Sequence, residues 1–252
     1  MEEQKVLKKV HSLIDKVYHP TNIELAWRKV KSNKGAGGID KETISTFDIN
    51  KEQELKILHE QLKNKTYKPL PVKRVYIEKP GKAEKRPLGI PTIRDRVCQQ
   101  ALKNRLEPIM EKHFNDCSFG YRPNRSQHKA MRKIWKDIHQ GNEWIVDADL
   151  RDYFGTVNHE ILINLIARKV SDGRILKLIR DMLDVGYMEK GRLYETSKGT
   201  PQGSVISPLL SNVYLTPFDN VMTKAGYKLT RFADDWVIVC KTRKEAEEAL
   251  NL

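Results

Sequence analysis

Cysteine is scarce. Of 252 residues only Cys98, Cys117 and Cys240 carry a thiol. They are odd in number, far apart and in no CxxC spacing, which argues against a disulfide framework or a zinc site and fits a reducing compartment. The seven histidines form no HExxH or paired-ligand pattern, so they read as surface or packing residues. No apolar run approaches the roughly 20 residues needed to cross a bilayer, which excludes a membrane-spanning reading. The opening Met1-Glu2-Glu3-Gln4-Lys5 lacks the apolar core of a secretory signal. A cytoplasmic protein with no membrane partner is the expectation. Repeats and low-complexity tracts are also missing.

Acidic residues are in short supply in one stretch. The net charge is +13, yet residues 61–105 alone hold thirteen Lys or Arg against Glu78, Glu84 and Asp95. The basic residues are interleaved with Tyr67, Tyr76, proline and glycine, so they do not make one solvated helix face. A concentrated basic lobe suits a polyanionic partner, nucleic acid above all.

Apolar periodicity predicts helices over 3–17, 23–31 (capped by Thr21 or Asn22) and 52–65. Gly35-Ala36-Gly37-Gly38 interrupts them. Without a preceding strand or a Lys-Ser/Thr ending it is no phosphate loop, and it reads as a flexible connection. The period changes over 72–93, where Pro80-Gly81 marks the turn of a basic β-hairpin. Helices are expected over 95–111 and from Ser126 to about His139. A strand over 144–149 comes next, then helices opened by Asn158 and by Ser171 or Asp172. A hairpin turns at Lys190-Gly191. A further helix begins at Pro208 and is kinked or restarted near Thr216 by Pro217. Two strands, 228–232 and 236–240, flank an Ala-Asp-Asp turn, and the chain stops two turns into a last helix. It reads as cut there.

Two stretches carry the chemistry: Val146-Asp147-Ala148-Asp149-Leu150-Arg151-Asp152-Tyr153-Phe154 and Arg231-Phe232-Ala233-Asp234-Asp235-Trp236-Val237-Ile238-Val239. Each sets carboxylates at the end of an apolar β-branched run. Adjacent acids in a turn are common, but Asp234 and Asp235 combined with Asp149 match what two Mg²⁺ ions need. Such ions take oxygen ligands from one or two carboxylates plus substrate phosphates, and a pair of them about 3.5–4 Å apart serves in-line displacement. Asp147, on the same strand face as Asp149, is a weaker candidate, and Asp152 reads as a surface acid. Phe154, five residues beyond Asp149, reads either as a core residue or as a cover over a sugar site. Gly199-Thr200-Pro201-Gln202-Gly203-Ser204 enters a helix, where glycine permits close backbone approach and a helix N-terminus favours phosphate.

These motifs in order resemble a bacterial group II intron reverse transcriptase, or maturase. They are Arg86-Pro-Leu-Gly-Ile-Pro-Thr-Ile93, Phe119-Gly-Tyr-Arg-Pro-Asn-Arg-Ser126, Asp149-Leu-Arg-Asp-Tyr-Phe154, Gly199-Thr-Pro-Gln-Gly-Ser204 and Phe232-Ala-Asp-Asp235. Trp27 and the Asn33-Lys-Gly-Ala-Gly-Gly-Ile-Asp40 stretch resemble that family's N-terminal extension. The chain departs from it at Phe232, where tyrosine is usual, and at Ser204, where glycine is frequent.

The resemblance implies an α+β fold: a right-hand polymerase palm with an antiparallel sheet, plus a helical, basic fingers subdomain. It implies an extension over 1–70, fingers over 71–142 and palm over 143–252, with the thumb outside the chain. Asp149, Asp234 and Asp235 would be the catalytic metal ligands for two Mg²⁺ ions. Phe154 would select deoxynucleotides, Gln202 would sit in the nucleotide pocket, and Lys79 and Arg86 would reach the triphosphate. Lys82, Lys85, Arg94, Arg96, Arg122 and Arg125 would contact RNA, with the motif 119–126 and the basic helix after Arg94 tracking the template. The implied partners are group II intron RNA, an RNA template with a DNA primer, and dNTPs; a homodimer stays open. Two rival readings remain: an RNA-binding maturase fragment without catalysis, and a reverse transcriptase of a retron, diversity-generating or CRISPR-associated element.

Overall fold

The computed structural model describes residues 9–79 and 81–252; the side chains of Lys79, Lys82, Ala83 and Glu84 also lie outside the description. In chain order the helices and strands are α1 (Ile14–Tyr18), α2 (Pro20–Asn33), α3 (Ile44–Ile49), α4 (Lys51–Lys63), β1 (Val72–Lys79), β2 (Lys82–Ile90), α5 (Ile93–Met110), α6 (Gln127–Ile138), β3 (Trp144–Asp149), α7 (Tyr153–Thr156), α8 (His159–Ala167), α9 (Gly173–Asp184), β4 (Tyr187–Glu189), β5 (Arg192–Tyr194), α10 (Ser207–Lys224), β6 (Lys228–Phe232), β7 (Asp235–Cys240) and α11 (Arg243–Leu250). They form two compact units, each discontinuous in sequence. One takes the chain up to Ile109 with Phe154–Ser207; the other takes Met110–Tyr153 with Pro208–Leu252.

The first unit is built on α5. Ile93, Val97, Cys98, Ala101, Leu102 and Leu106 are fully buried, and so, nearly, are Asp95, Arg96, Gln99 and Gln100. Polar side chains buried along this first half of the helix must be satisfied internally. Asp95 accepts from Tyr67 Oη at 2.5 Å and Leu70 N at 3.2 Å, and Gln99 Oε1 accepts from Ser204 Oγ and Val205 N, both at 2.8 Å. Burial pushes the Tyr67 hydroxyl and Cys98 thiol up in pKa, beyond any titration at neutral pH. The basic hairpin β1–β2 is present as read, and it joins a second hairpin through a parallel β1–β4 pairing, giving the strand order β2-β1-β4-β5.

Three local expectations fail in this unit. The helix read from residue 3 begins only at Ile14; residues 3–8 lie outside the description, and Val10 instead bridges Val170. The reason is Asp172, whose carboxylate accepts from Leu13 N at 2.8 Å and Ile14 N at 2.9 Å while also capping α9 through Arg174 N at 3.0 Å. Helix α2 is capped at His19, not Thr21 or Asn22, with Pro20 at its first position. Asn22 is spent inward, donating to Val17 O at 2.8 Å and Ala101 O at 2.9 Å. The glycine loop 35–38 is no flexible connection: its backbone lies against Thr92, and Arg96 donates to Ala36 O.

The second unit holds an antiparallel sheet of order β3-β7-β6. Period-two alternation puts Val146, Trp236, Ile238, Cys240 and Leu229 on one face, where Met222 of α10 and Ala246 and Ala249 of α11 complete a core. On the β6 side the segment 117–119 adds a further bridge: Arg231 N donates to Cys117 O and Phe119 N to Arg231 O, both at 2.8 Å. Helix α6 is capped by Ser126, as read, and its Lys133 donates to Leu229 O at 3.0 Å and Thr230 Oγ1 at 3.1 Å. Helix α10 runs through Pro217 without restarting.

Candidate active site

In the second unit, antiparallel registry sets Asp149 directly opposite Asp235, at the ends of β3 and β7. Asp234 precedes Asp235 in the two-residue turn that joins Phe232 to its cross-strand partner Asp235. Asp149 and Asp235 are exposed and Asp234 is half-buried. Like charges directly opposite on neighbouring strands are destabilising, and a bound cation removes that penalty.

Among the described residues no three His, Cys, Asp or Glu side chains converge into a ready-made metal cage. Mg²⁺ does not require one, since it is held by one or two carboxylates with waters and substrate phosphates completing its shell. The all-oxygen donor set of Asp149, Asp234 and Asp235 therefore fits the ion. Asp147 is exposed two pairs further along the strand, opposite Val237.

The turn is constrained from behind. Ala233 has φ 61°, a left-handed conformation costly for any residue with a Cβ. A hairpin turn with positive φ at its first central position normally carries glycine there. Two features hold Ala233. Its carbonyl accepts from Arg231 Nη1 at 2.7 Å, and Gly120 lies so close that a Cβ on it would be 2.3 Å from Ala233 N. The motif Phe119–Ser126 thus serves the aspartate turn through its backbone. Nothing in the sequence marks Arg231 for this role, and Gly120 enters the sequence reading only as part of the template-tracking motif 119–126. The signal available was a charged residue inside the apolar run before the aspartates. Tyr153, also missed, anchors the segment after β3 by donating to Ser211 O at 3.0 Å.

In the first unit backbone hydrogen bonds join the Phe154 and Gln202 segments to each other and to strand β2, which carries Arg86 further along. Thr200 N donates to Phe154 O and Gly199 N to Val157 O, both at 2.7 Å, and Gly89 N donates to Gln202 O at 2.7 Å, three residues beyond Arg86. Gly199, at φ +89°, has no room for a side chain: its Cβ would be 2.9 Å from Phe154 O. His159, buried, faces two acceptors, Asp184 Oδ1 at 2.8 Å and Gly199 O at 2.7 Å, and so ties α8 and α9 to this loop. Phe154 is half-buried and Arg86 exposed. Gln202 Oε1 and Thr200 Oγ1 are buried without a hydrogen-bond partner. Arg74 Nε, Arg105 Nε, Ser211 Oγ and Trp236 Nε1 share this condition among the described residues, and each such atom has capacity for water or a ligand.

The RNA-contact assignments fare unevenly. Arg96 is 8% exposed and donates to Pro91 O at 3.0 Å as well as to Ala36 O, so it is structural. Arg122 is 8% exposed and grips Glu111 at 2.7–3.1 Å, with Asn115 O and Ser118 O taking Nη1. Arg94 is half-buried against Glu54 and Arg125 against Asp116. The buried guanidiniums of Arg96 and Arg122 are not free to neutralise phosphates, whereas Arg94 and Arg125 keep part of their side chains at the surface. The first half of helix α5 is core, while Lys103 and Arg105 in its second half are partly exposed. Lys85 is exposed beside Arg86, while the Lys79 and Lys82 side chains lie outside the description. Strand β1 crosses this part of the hairpin with exposed Tyr76 and Ile77, the latter opposite Arg86.

A family model described as "Reverse transcriptase (RNA-dependent DNA polymerase)" matches residues 77–252. The chain belongs to the reverse transcriptase family. Its relatives include protein YkfC of Escherichia coli K12, 33% identical over 96% of this chain and 74% of that protein. The group II intron-encoded protein LtrA of Lactococcus lactis subsp. cremoris is 37% identical over 90% of this chain, which spans only 39% of that relative. Among solved structures, the reverse transcriptase-containing chain of a partial Cas6-RT-Cas1–Cas2 complex superposes with a TM-score of 0.59 at 25% identity, over 96% of this chain and 43% of that one. Telomerase from Candida albicans shares the fold alone, with a TM-score of 0.54 at 14% identity over 79% of this chain and 44% of that one. The right-hand α+β fold is thereby established. Among the described residues no helix is long and apolar enough to cross a membrane, and the three cysteines are free and buried.

Proposed function

We propose that this chain is the catalytic portion of a group II intron-encoded RNA-directed DNA polymerase that also binds intron RNA as a maturase, in the bacterial cytoplasm. The observation that carries the proposal is the facing pair Asp149 and Asp235, with Asp234 beside them in a constrained turn, in a member of the reverse transcriptase family. The greater identity to LtrA than to the Cas6-RT-Cas1 chain favours the intron type over the CRISPR type.

In this reading residues 1–70 are the extension, 71–142 the fingers and 143–252 the palm. Asp149, Asp234 and Asp235 hold two Mg²⁺ ions, which supply charge stabilisation for both oxygens of an in-line displacement. The remaining work is positioning. Arg86, and Lys79 with it, receive the dNTP triphosphate from the hairpin. Gln202 uses its unpartnered Oε1 toward the nucleotide, and Phe154 excludes a 2′-hydroxyl. The primer 3′-hydroxyl, losing its proton to solvent, then attacks the α-phosphate. The new ester bond forms as the bond to the bridging oxygen of the β-phosphate breaks, and pyrophosphate leaves. Exposed Lys85 and its neighbours on the hairpin meet RNA phosphates. The test is primer extension on an RNA template by the full-length protein. Asp149→Asn and Asp234→Asn should each abolish extension and leave RNA binding within a few-fold, whereas near-normal extension by either variant refutes the assignment.

A further inference from the structure

We infer that Arg231, which no contact with substrate requires, is a positioning residue for the catalytic turn: it sets the direction of Asp234 by holding the carbonyl of Ala233. The inference rests on the polymerase reading above.

Arg231 is fully buried, and so is its partner Asp219 on α10. Guanidinium carries five N–H donors in a rigid plane, and here all five are used. Nε donates to Asp219 Oδ1 at 2.7 Å and Nη2 to Asp219 Oδ2 at 2.6 Å. Nη2 also donates to Ser118 Oγ at 2.9 Å. Nη1 donates to Asn212 Oδ1 at 3.1 Å and to Ala233 O at 2.7 Å. Asn212 Nδ2 closes the ring by donating to Gly120 O at 2.9 Å, and Gly120 is the residue pressed against Ala233 N.

A buried ion pair is weak grounds for stability, because desolvating two charges offsets most of their attraction. What this pair does provide is a fixed plane. Asp219 and Asn212, two helix turns apart on α10, determine where the guanidinium lies, and the guanidinium determines where the Ala233 carbonyl points. Ala233 is at φ 61° without being glycine. Such a residue persists in that conformation when its surroundings over-determine it, and such sites cluster where strain serves function. Asp234 is the next residue. Releasing the Ala233 carbonyl frees the peptide that precedes the metal-binding carboxylate.

Two substitutions separate positioning from scaffolding. Arg231→Lys keeps a cation beside Asp219 but has three donors on a point charge, so it cannot serve Asp219, Ser118, Asn212 and Ala233 O together. Asp219→Asn keeps the guanidinium and its bond to Ala233 O but leaves the buried cation without a counter-charge, and should be the more damaging to stability. Three readouts apply to the full-length protein: thermal midpoint, kcat and KM for single-dNTP addition, and Mn²⁺ affinity by electron paramagnetic resonance.

The expected result is a divergence. Arg231→Lys loses about tenfold to a hundredfold in kcat, the scale of a misplacement near 1 Å, with dNTP KM within about twofold and weakened Mn²⁺ binding. Asp219→Asn loses more in thermal midpoint and less in kcat. If activity and Mn²⁺ affinity follow the thermal midpoint in both variants, or are unchanged in Arg231→Lys, Arg231 is scaffold and the inference is overturned. If the unsubstituted protein extends no primer, the polymerase reading fails. The Mn²⁺ titration then still decides whether Arg231 orders the aspartate turn.

Discussion

Gly120→Ala tests the link between the Phe119–Ser126 motif and the aspartate turn. Gly120 is not at positive φ, so alanine fits its backbone conformation and the only effect is the added methyl. That carbon would lie 2.3 Å from Ala233 N, 3.0 Å from Ala233 Cα and 3.0 Å from Phe232 C. All three are backbone atoms, so no side chain can swing aside. An ordinary contact is about 3.5–4 Å, and one segment must therefore retreat by roughly 1 Å. Retreat on the motif side is resisted by Phe119 N on Arg231 O at 2.8 Å and by Asn212 Nδ2 on Gly120 O at 2.9 Å. Overpacking of this kind costs about 1–3 kcal/mol of stability, which leaves a folded protein. A shift of that size in the turn carrying Asp234 costs on the order of 100-fold in rate. The assay is single-nucleotide extension alongside thermal unfolding of the same preparation. A Gly120→Ala protein that melts a few degrees early yet extends at the original rate would show that this loop does not govern the turn.

Phe154→Ala should raise ribonucleotide relative to deoxynucleotide incorporation, read from extension with each nucleotide set; unchanged discrimination with retained activity makes Phe154 packing only. Asp172→Ala should cost about 2–4 kcal/mol in denaturant unfolding, since it strands the N–H groups of Leu13, Ile14 and Arg174 at two helix starts. Burial pushes the Asp172 carboxyl up, but the backbone N–H groups outweigh it and its pKa is net lowered. Its contribution is therefore complete above the unfolded value near pH 4 and is lost as pH falls through the lower folded value, so the gap between Asp172→Ala and the unsubstituted protein should close in acid. Charge reversal of Lys85 and Arg86 together should weaken RNA binding and flatten its dependence on salt, measured by titration at several salt concentrations; a salt slope equal to that of the unsubstituted protein would place the RNA elsewhere.

Local signals in the sequence determined most elements and the chemistry. Asn158, Asp172 and Ser126 cap the helices they were read to open. Both hairpins form where the turns were read, because Gly81 and Gly191 supply positive φ at them. The aspartates stand at strand ends because the β-branched runs before and after them pair as β3 and β7. All of this is carried by residues a few positions apart, which is the range over which capping, period and turn chemistry act. Tertiary structure decided what each charge is for. In the text of the chain Arg96, Arg122 and Arg231 are three more cations in a basic protein. Folded, each is buried and spends its donors on carbonyls, carboxylates and a serine hydroxyl, up to 113 residues away in sequence. The discontinuity of each unit in sequence, the parallel pairing of β1 with β4 and the burial of the first half of α5 likewise join distant segments. No periodicity reports such joins, since a buried polar side chain is stable only when its partners arrive from elsewhere. Sequence supplied the carboxylates at the centre, and long-range packing supplied the constraint on the turn that presents them.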